Sequence, residues 1–99
     1  MARSEARITI EEPSRYLQQL CRYFAAKLPA THTQQRGQIV FAAGTCKLEV
    51  QDALLIMAVE AEDEASVARL EELLGRYLEH LAFHDRPTIS WASLEGLKF

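Results

Sequence analysis

The chain has 99 residues, of which 48% are hydrophobic and 25% charged, and its formal net charge is −3. This length suits one domain with a modest core, so we predict a single α+β domain over residues 1–99. Its folded part is expected at about 6–92, followed by an apolar C-terminal tail at 93–99. The 11 basic residues are spread without a cluster, and we therefore expect no nucleic-acid partner, because phosphate binding needs focused positive charge.

The sequence also contains no long apolar run, which bears on where the protein is located. No run is long enough to cross a membrane, and the N-terminus carries no apolar segment of signal-peptide length. We therefore expect a cytoplasmic protein with no membrane partner. In that reducing compartment the two cysteines are expected to be thiols rather than a disulfide.

The first predicted elements are a short strand and a helix. Residues 7–11 alternate in polarity, as a half-buried strand does. Pro13 fits the first turn of a helix, and Pro29 stops the helix after about residue 28. One apolar stripe recurs along it at helical spacing: Leu17, Leu20, Cys21, Phe24 and Leu28.

The stretch 38–61 predicts the middle of an antiparallel sheet, preceded by a weaker strand over 30–35. Three strands are expected within it, at 38–42, 45–51 and 54–61, joined by tight reversals. The second and third of these strands should each turn three side chains to one dry face: Cys46, Leu48, Val50, Leu55, Met57 and Val59.

A second helix and a last edge strand complete the predicted order. The acidic stretch 60–64 favours a helix N-terminus capped by Asp63, and the helix should run to about residue 83. Gly75 inside it is interpreted as a point where the helix approaches the sheet closely. An edge strand over 88–92 places Ile89 and Trp91 on the dry face. The helix has its own apolar stripe: Val67, Leu70, Leu74, Tyr77, Leu78 and Leu81.

The order β-α-β-β-β-β-α-β predicts an α+β fold. Two helices with one-sided stripes and a sheet with one dry face fit together as a two-layer sandwich. We expect a mainly antiparallel sheet with both helices on one face.

Several short patterns from about residue 6 to 91 together resemble the bacterial domain-of-unknown-function family numbered 2218. They are Tyr16-Leu17, Leu20-Cys21, Phe24, Lys27, Arg36-Gly37, Phe41-x-x-Gly44-x-Cys46-x-Leu48, Leu70-Glu71-x-x-Leu74, Leu78-Glu79, Ala82-Phe83 and Ile89-x-Trp91. The resemblance implies a TATA-binding-protein-like arrangement of one sheet and two helices. It implies no established activity and a loose link to iron-uptake gene settings. Where the family pattern often carries histidines, this chain has Tyr23, Ala26 and Tyr77, which weakens a histidine-based metal site.

Cys21 and Cys46 are the candidate metal or redox residues. Both lie on dry surfaces that should face each other, so their sulfurs are expected to be near neighbours. One hypothesis is a redox pair or a soft-metal site. The alternative, which we favour, is two small core residues, because the closely spaced cysteine motif of metal and redox sites is absent.

No other chemical motif stands out. His32, His80 and His84 do not share a metal-binding spacing, so we predict no metal histidines and no cofactor, with a metal at the cysteines as the alternative. No nucleophile–base set and no phosphate-binding glycine loop are present, so no catalytic residues are predicted. The acidic stretch 60–64 is read as a helix start rather than a cation site.

The outer side of the sheet is the remaining candidate site. Val40, Leu54 and Ile56 should be exposed there if the helices cover only one side, and exposed apolar neighbours mark interaction faces. Alternatively, Leu97 and Phe99 of the tail fold over them. We therefore predict a non-catalytic binding or protein-interaction module, acting through a homo-oligomer or another protein. The alternative is a metal- or iron-uptake-linked accessory protein that uses the two cysteines, and an enzyme is the weakest hypothesis.

Overall fold

The computed structural model describes residues 1–82 and 87–93, which form two helices and six strands. In chain order the elements are β1 (Ala2–Thr9), α1 (Pro13–Ala25), β2 (Ala30–His32), β3 (Arg36–Val40), β4 (Gly44–Gln51), β5 (Leu54–Ala61), α2 (Glu64–Leu81) and β6 (Trp91–Ser93). The predicted order of elements is confirmed.

The six strands form one sheet in the spatial order β2-β3-β4-β5-β1-β6, and every neighbouring pair is antiparallel. The N-terminal strand β1 therefore lies between β5 and β6, far along the sheet from β2. The longest strands, β4 and β5, pair over their whole length from Gly44↔Ala61 to Gln51↔Leu54. The tight reversal between them contains Asp52, whose positive φ of 54° is tolerated by Asp in turns.

One side of the sheet and both helices share a single hydrophobic core, so the predicted two-layer α+β fold is confirmed. The predicted dry face of β4 and β5 contributes to the sheet half of this core, together with Ala6 and Ile8 of β1 and Ile39 of β3. From the helices, the buried residues follow the predicted stripes: Leu17, Leu20, Cys21 and Phe24 in α1, and Val67, Leu70, Leu74 and Leu78 in α2. We call this side of the sheet the inner face and the opposite side the outer face.

The helix ends follow local chemistry. Asp63 precedes α2 in an extended conformation, and its carboxylate accepts a hydrogen bond of 2.7 Å from the Ser66 amide. This bond lowers the pKa of Asp63, and the predicted cap is confirmed. Helix α1 ends at Ala25 rather than at residue 28. The amides of Lys27 and Leu28 both bond to the Phe24 carbonyl, forming a tight turn that directs the chain into β2.

The largest difference from the predicted elements is at the N-terminus. Strand β1 begins at Ala2, not at residue 7, and pairs with β5 from Ala2↔Ala61 to Thr9↔Leu54. Its inward positions Ala2, Ser4 and Ala6 are small, so the sequence shows no large apolar alternation there. Strands β2, β3 and β6 are shorter than predicted or displaced by one or two residues, as is usual at element ends.

Close approach of a helix to the sheet occurs at Gly37, not at Gly75. A methyl group on Gly37 of β3 would lie 2.6 Å from Cys21 Sγ and 3.3 Å from Leu17 Cδ2. Among the described residues, a methyl group on Gly75 would meet only Trp91 Nε1, at an ordinary contact distance of 3.9 Å. The interpretation of Gly75 is therefore wrong, and α1 is the helix that needs a glycine beneath it.

Within residues 1–82 and 87–93, neither helix has the length and apolar character that a membrane span requires.

Candidate functional site

The two cysteines are sealed in the core. Cys21 of α1 and Cys46 of β4 are both free thiols with no exposed surface. Burial raises the pKa of Cys21 to about 11. Burial, and then the charge that Cys21 would carry, raise the pKa of Cys46 further. Both groups are therefore neutral near pH 7, whereas metal binding and nucleophilic attack need the thiolate.

The described residues around the two thiols do not supply the further ligands that a metal site needs. In the part of the chain that the structure describes, no three side chains of His, Cys, Asp or Glu come together as a metal site would require. His32 lies in β2 and His80 in the last turn of α2, and His84 lies outside the described residues. A metal or redox role for Cys21 and Cys46 stays a prediction, and their burial favours the alternative of two core residues.

The outer face carries the polar side of the strands, arranged in rows across the sheet. A central row runs through Gln38, Lys47, Ala58 and Glu5. The row on one side of it runs through Arg36, Glu49, Ile56 and Arg7. The row on its other side runs through Val40, Thr45, Glu60 and Arg3. Strand β5 supplies the third member of each row, between β4 and β1, and is the least polar of these four strands on this face.

The predicted apolar patch on the outer face is only partly present. Val40 is 39% exposed and Leu54 is half-buried, but Ile56 is only 6% exposed, so its predicted exposure is wrong. The reason is lateral cover: Ile56 lies between Arg7 and Glu49, whose longer side chains flank it on both neighbouring strands. Leu97 and Phe99, the alternative cover, lie outside the described residues.

Charges of both signs alternate on the outer face. Three ion pairs form within it: Arg3–Glu60 at 3.6 Å, Arg7–Glu5 at 3.8 Å and Arg36–Glu49 at 4.0 Å. These pairs are exposed to solvent, so each contributes little to stability. Lys47 makes no ion pair with another described residue, and it lies beside the short side chain of Ala58.

A groove of about 640 Å³ opens on this face. Ile56 and Ala58 belong to its lining, together with the charged side chains of Glu5, Arg36, Lys47 and Glu49. The groove therefore combines a short apolar floor with opposite charges on its walls. This arrangement can bind a polar surface that carries both signs of charge.

Glu5, Lys47 and Glu49 were not among the residues predicted for the candidate site. Alternation marked Lys47 and Glu49 as the polar side of a strand, but Glu5 precedes the predicted first strand, and nothing in the sequence placed β1 next to β5. The sequence-based reasoning also missed the pairing of Tyr23 with Tyr77, where the Tyr23 hydroxyl donates a 2.6 Å hydrogen bond to that of Tyr77. This bond raises the pKa of Tyr23. The two positions lie on different helices, and no local pattern signals their contact.

Two helices on one side of a six-stranded antiparallel sheet define a two-layer α+β domain whose outer face, among the described residues, is not covered by a helix. The chain belongs to DUF2218, a family of uncharacterized proteins conserved in bacteria, whose sequence pattern matches residues 5–92. The predicted family is therefore confirmed.

A solved structure supports the same fold. The chain is similar to PA4090 from Pseudomonas aeruginosa, determined by NMR, with 27% sequence identity and a TM-score of 0.76. The match covers 93% of this chain and 96% of that one. No curated protein matches the chain.

Proposed function

We propose that the chain is a non-catalytic cytoplasmic binding module that recognises a polypeptide through the outer face of its sheet. The observation that carries this proposal is the mixed-charge groove on a sheet face that neither helix covers. Sheet faces left open to solvent on one side are common in antiparallel folds. The row of Lys47, Ala58 and Glu5 gives this one a defined pattern of charge.

The charge pattern indicates the class of partner. Positive and negative side chains are interleaved and partly paired, so the face offers no focused potential to a nucleic acid. The polar rim of a protein interface has this mixture of charges around a smaller apolar centre. A polypeptide surface with alternating acidic and basic side chains fits both features.

Amide-shift mapping by NMR tests the proposal. The labelled protein is titrated with a panel of short peptides that differ in the order of their acidic and basic residues. We expect saturable shifts in β4, β5 and β1, and weaker binding when Lys47→Ala or Glu49→Ala is used. Shifts confined to the helices would contradict the proposal, as would cleavage or other chemical change of the peptides.

A further inference from the structure

We propose that the partner is a second copy of this chain, packed outer face to outer face about a two-fold axis that runs along β5. This inference rests on the function proposed above and names its partner. Strand β5 lies between β4 and β1 in the sheet. A two-fold axis along β5 therefore places β4 of one copy over β1 of the other.

Charge complementarity in two successive rows carries the inference. Lys47 of β4 and Glu5 of β1 flank Ala58 in the central row. Rotation about β5 sets Lys47 opposite Glu5 of the second copy. In the next row Glu49 and Arg7 flank Ile56, and the same rotation sets Glu49 opposite Arg7 of the second copy. The two-fold symmetry produces each of these contacts twice, and all four contacts join opposite charges.

The charge pattern also distinguishes between the two symmetric axes that pass through Ala58, one along β5 and one across the strands. A two-fold axis across the strands, along the central row, would place Lys47 over Lys47 and Glu5 over Glu5 of the second copy. Like charges that face each other across an interface oppose association. Of these two symmetric axes through Ala58, the charge pattern therefore favours the one along β5.

The outward side chains of β5 are suited to lie on the two-fold axis. Leu54 and Ala58 are half-buried, and each would lie near the same residue of the second copy, which gives the interface a small apolar centre with a charged rim. Ile56 is buried between Arg7 and Glu49 and makes no contact across the interface. Glu60 is the exception, because it would approach its own copy. Each Glu60 is paired with Arg3 of its own chain at 3.6 Å, and this pairing offsets the repulsion.

The size of the face predicts a modest dimer. Four strands spaced about 4.8 Å apart, with up to eight residues rising about 3.4 Å each, give a footprint of roughly 500 Å². Stable specific interfaces bury about 800 Å² on each partner. We therefore expect a dimer that dissociates on dilution and weakens at high salt, because its rim contacts are ionic.

Sedimentation equilibrium over a wide concentration range tests the inference. We expect the wild-type chain to show a monomer–dimer equilibrium. Lys47→Glu and Glu5→Lys should each weaken the dimer by on the order of tenfold, because each substitution creates two like-charge contacts. Mixing the two variants in equal amounts should restore the dimer, since every altered contact is again between opposite charges. The double variant K47E/E5K should also dimerise.

Two controls sharpen the test. Arg22→Glu makes the same change in net charge as Lys47→Glu, but on the exposed side of α1, and should leave the dimer unchanged. The variant L97D/F99D asks whether the C-terminal tail makes the contact, and it should also leave the dimer unchanged. Circular dichroism of every variant separates loss of the dimer from loss of the fold.

Several outcomes would overturn the inference. They are a wild-type monomer at every concentration, a dimer insensitive to Lys47→Glu, failure of the mixed variants to recover mass, and loss of the dimer in Arg22→Glu or L97D/F99D. If the wild type stays monomeric while peptides still shift β4, β5 and β1, the second-copy partner is wrong and the binding module stands. If neither self-association nor peptide binding maps to the outer face, both proposals fail.

Discussion

The two faces of the sheet are covered in different ways. The inner face is closed by α1 and α2, and Met57, Leu55 and Val59 of β5 are fully or almost fully buried there. On the outer face, one residue away along the chain, Ile56 is buried by the flanking side chains of Arg7 and Glu49. Ile56 and Met57 therefore have similarly low exposure, but a packed helix layer covers Met57, whereas charged side chains on the neighbouring strands flank Ile56.

The largest expected effect on stability comes from comparing two substitutions at adjacent positions, one on each face. Met57→Ala should lower the free energy of unfolding by about 2–5 kcal/mol, because a cavity opens in a core that relaxes only partly. Ile56→Ala should cost about half as much, because the long side chains around it can collapse into the space. Urea denaturation of both variants measures the difference. Equal costs would mean that the outer face is packed as rigidly as the inner face.

The next test adds a methyl group at each of two glycines, Gly37 and Gly75. Gly37→Ala should destabilise the fold by about 1–3 kcal/mol, because the added carbon collides with Cys21 Sγ beneath α1. Gly75→Ala is the matched control, and it should raise stability by up to about 1 kcal/mol through helix propensity, because its methyl meets only an ordinary contact. Thermal unfolding of both variants checks the opposite signs. A gain in stability for Gly37→Ala would show that α1 is not seated tightly on β3.

The inner face also predicts a dependence on alkaline pH. Burial raises the pKa of Cys21 to about 11 and that of Cys46 further, so the unfolded chain loses these protons first. Stability is then fully present below the thiol pKa of the unfolded chain and falls as pH rises through the folded values. The slope should reach up to about 1.4 kcal/mol per pH unit for each thiol.

The control for the pH prediction is the variant C21A/C46A, whose unfolding free energy should depend less steeply on pH above 9, the ordinary thiol value. In the native wild type, thiol reagents should label both cysteines slowly, and after denaturation they should label both fully. Rapid labelling of the native protein would instead support the reactive-thiol hypothesis.

The smallest expected effect belongs to the outer face. Arg36 and Glu49 lie 4.0 Å apart with exposed side chains, so a double-mutant cycle with alanine at both positions should give a coupling below about 0.5 kcal/mol. The measurement is the unfolding free energy of the monomer at moderate salt. A coupling comparable to the cost of Met57→Ala would mean that the charged rows hold the fold together rather than serve binding.

Much of the fold was predictable because local patterns and global packing agree. The alternation of Cys46, Leu48 and Val50 predicted a strand with one dry face, and β4 lies there. The acidic stretch and Asp63 predicted the start of α2, which the Ser66 amide confirms. The prediction failed where the local signal was weak: β1 has small residues at Ala2, Ser4 and Ala6, so only pairing with β5 reveals its length.

The candidate site was less predictable, because it depends on which strands are neighbours. Val40, Leu54 and Ile56 were chosen from alternation alone, which assigns a side of the sheet but not the length of the flanking side chains. Glu5 and Lys47 lie 42 positions apart, and no short-range pattern relates them. They flank Ala58 because β1 inserts beside β5.

By itself, the sequence determined the number, order and type of the elements and the dry side of the long central strands β4 and β5, because period and turn chemistry are local properties of a chain. Only the tertiary structure decided that β1 completes the sheet beside β5, that Gly37 rather than Gly75 admits a helix, and that opposite charges are arranged in rows about β5. Those outcomes depend on contacts between distant segments, which backbone pairing and close packing fix together.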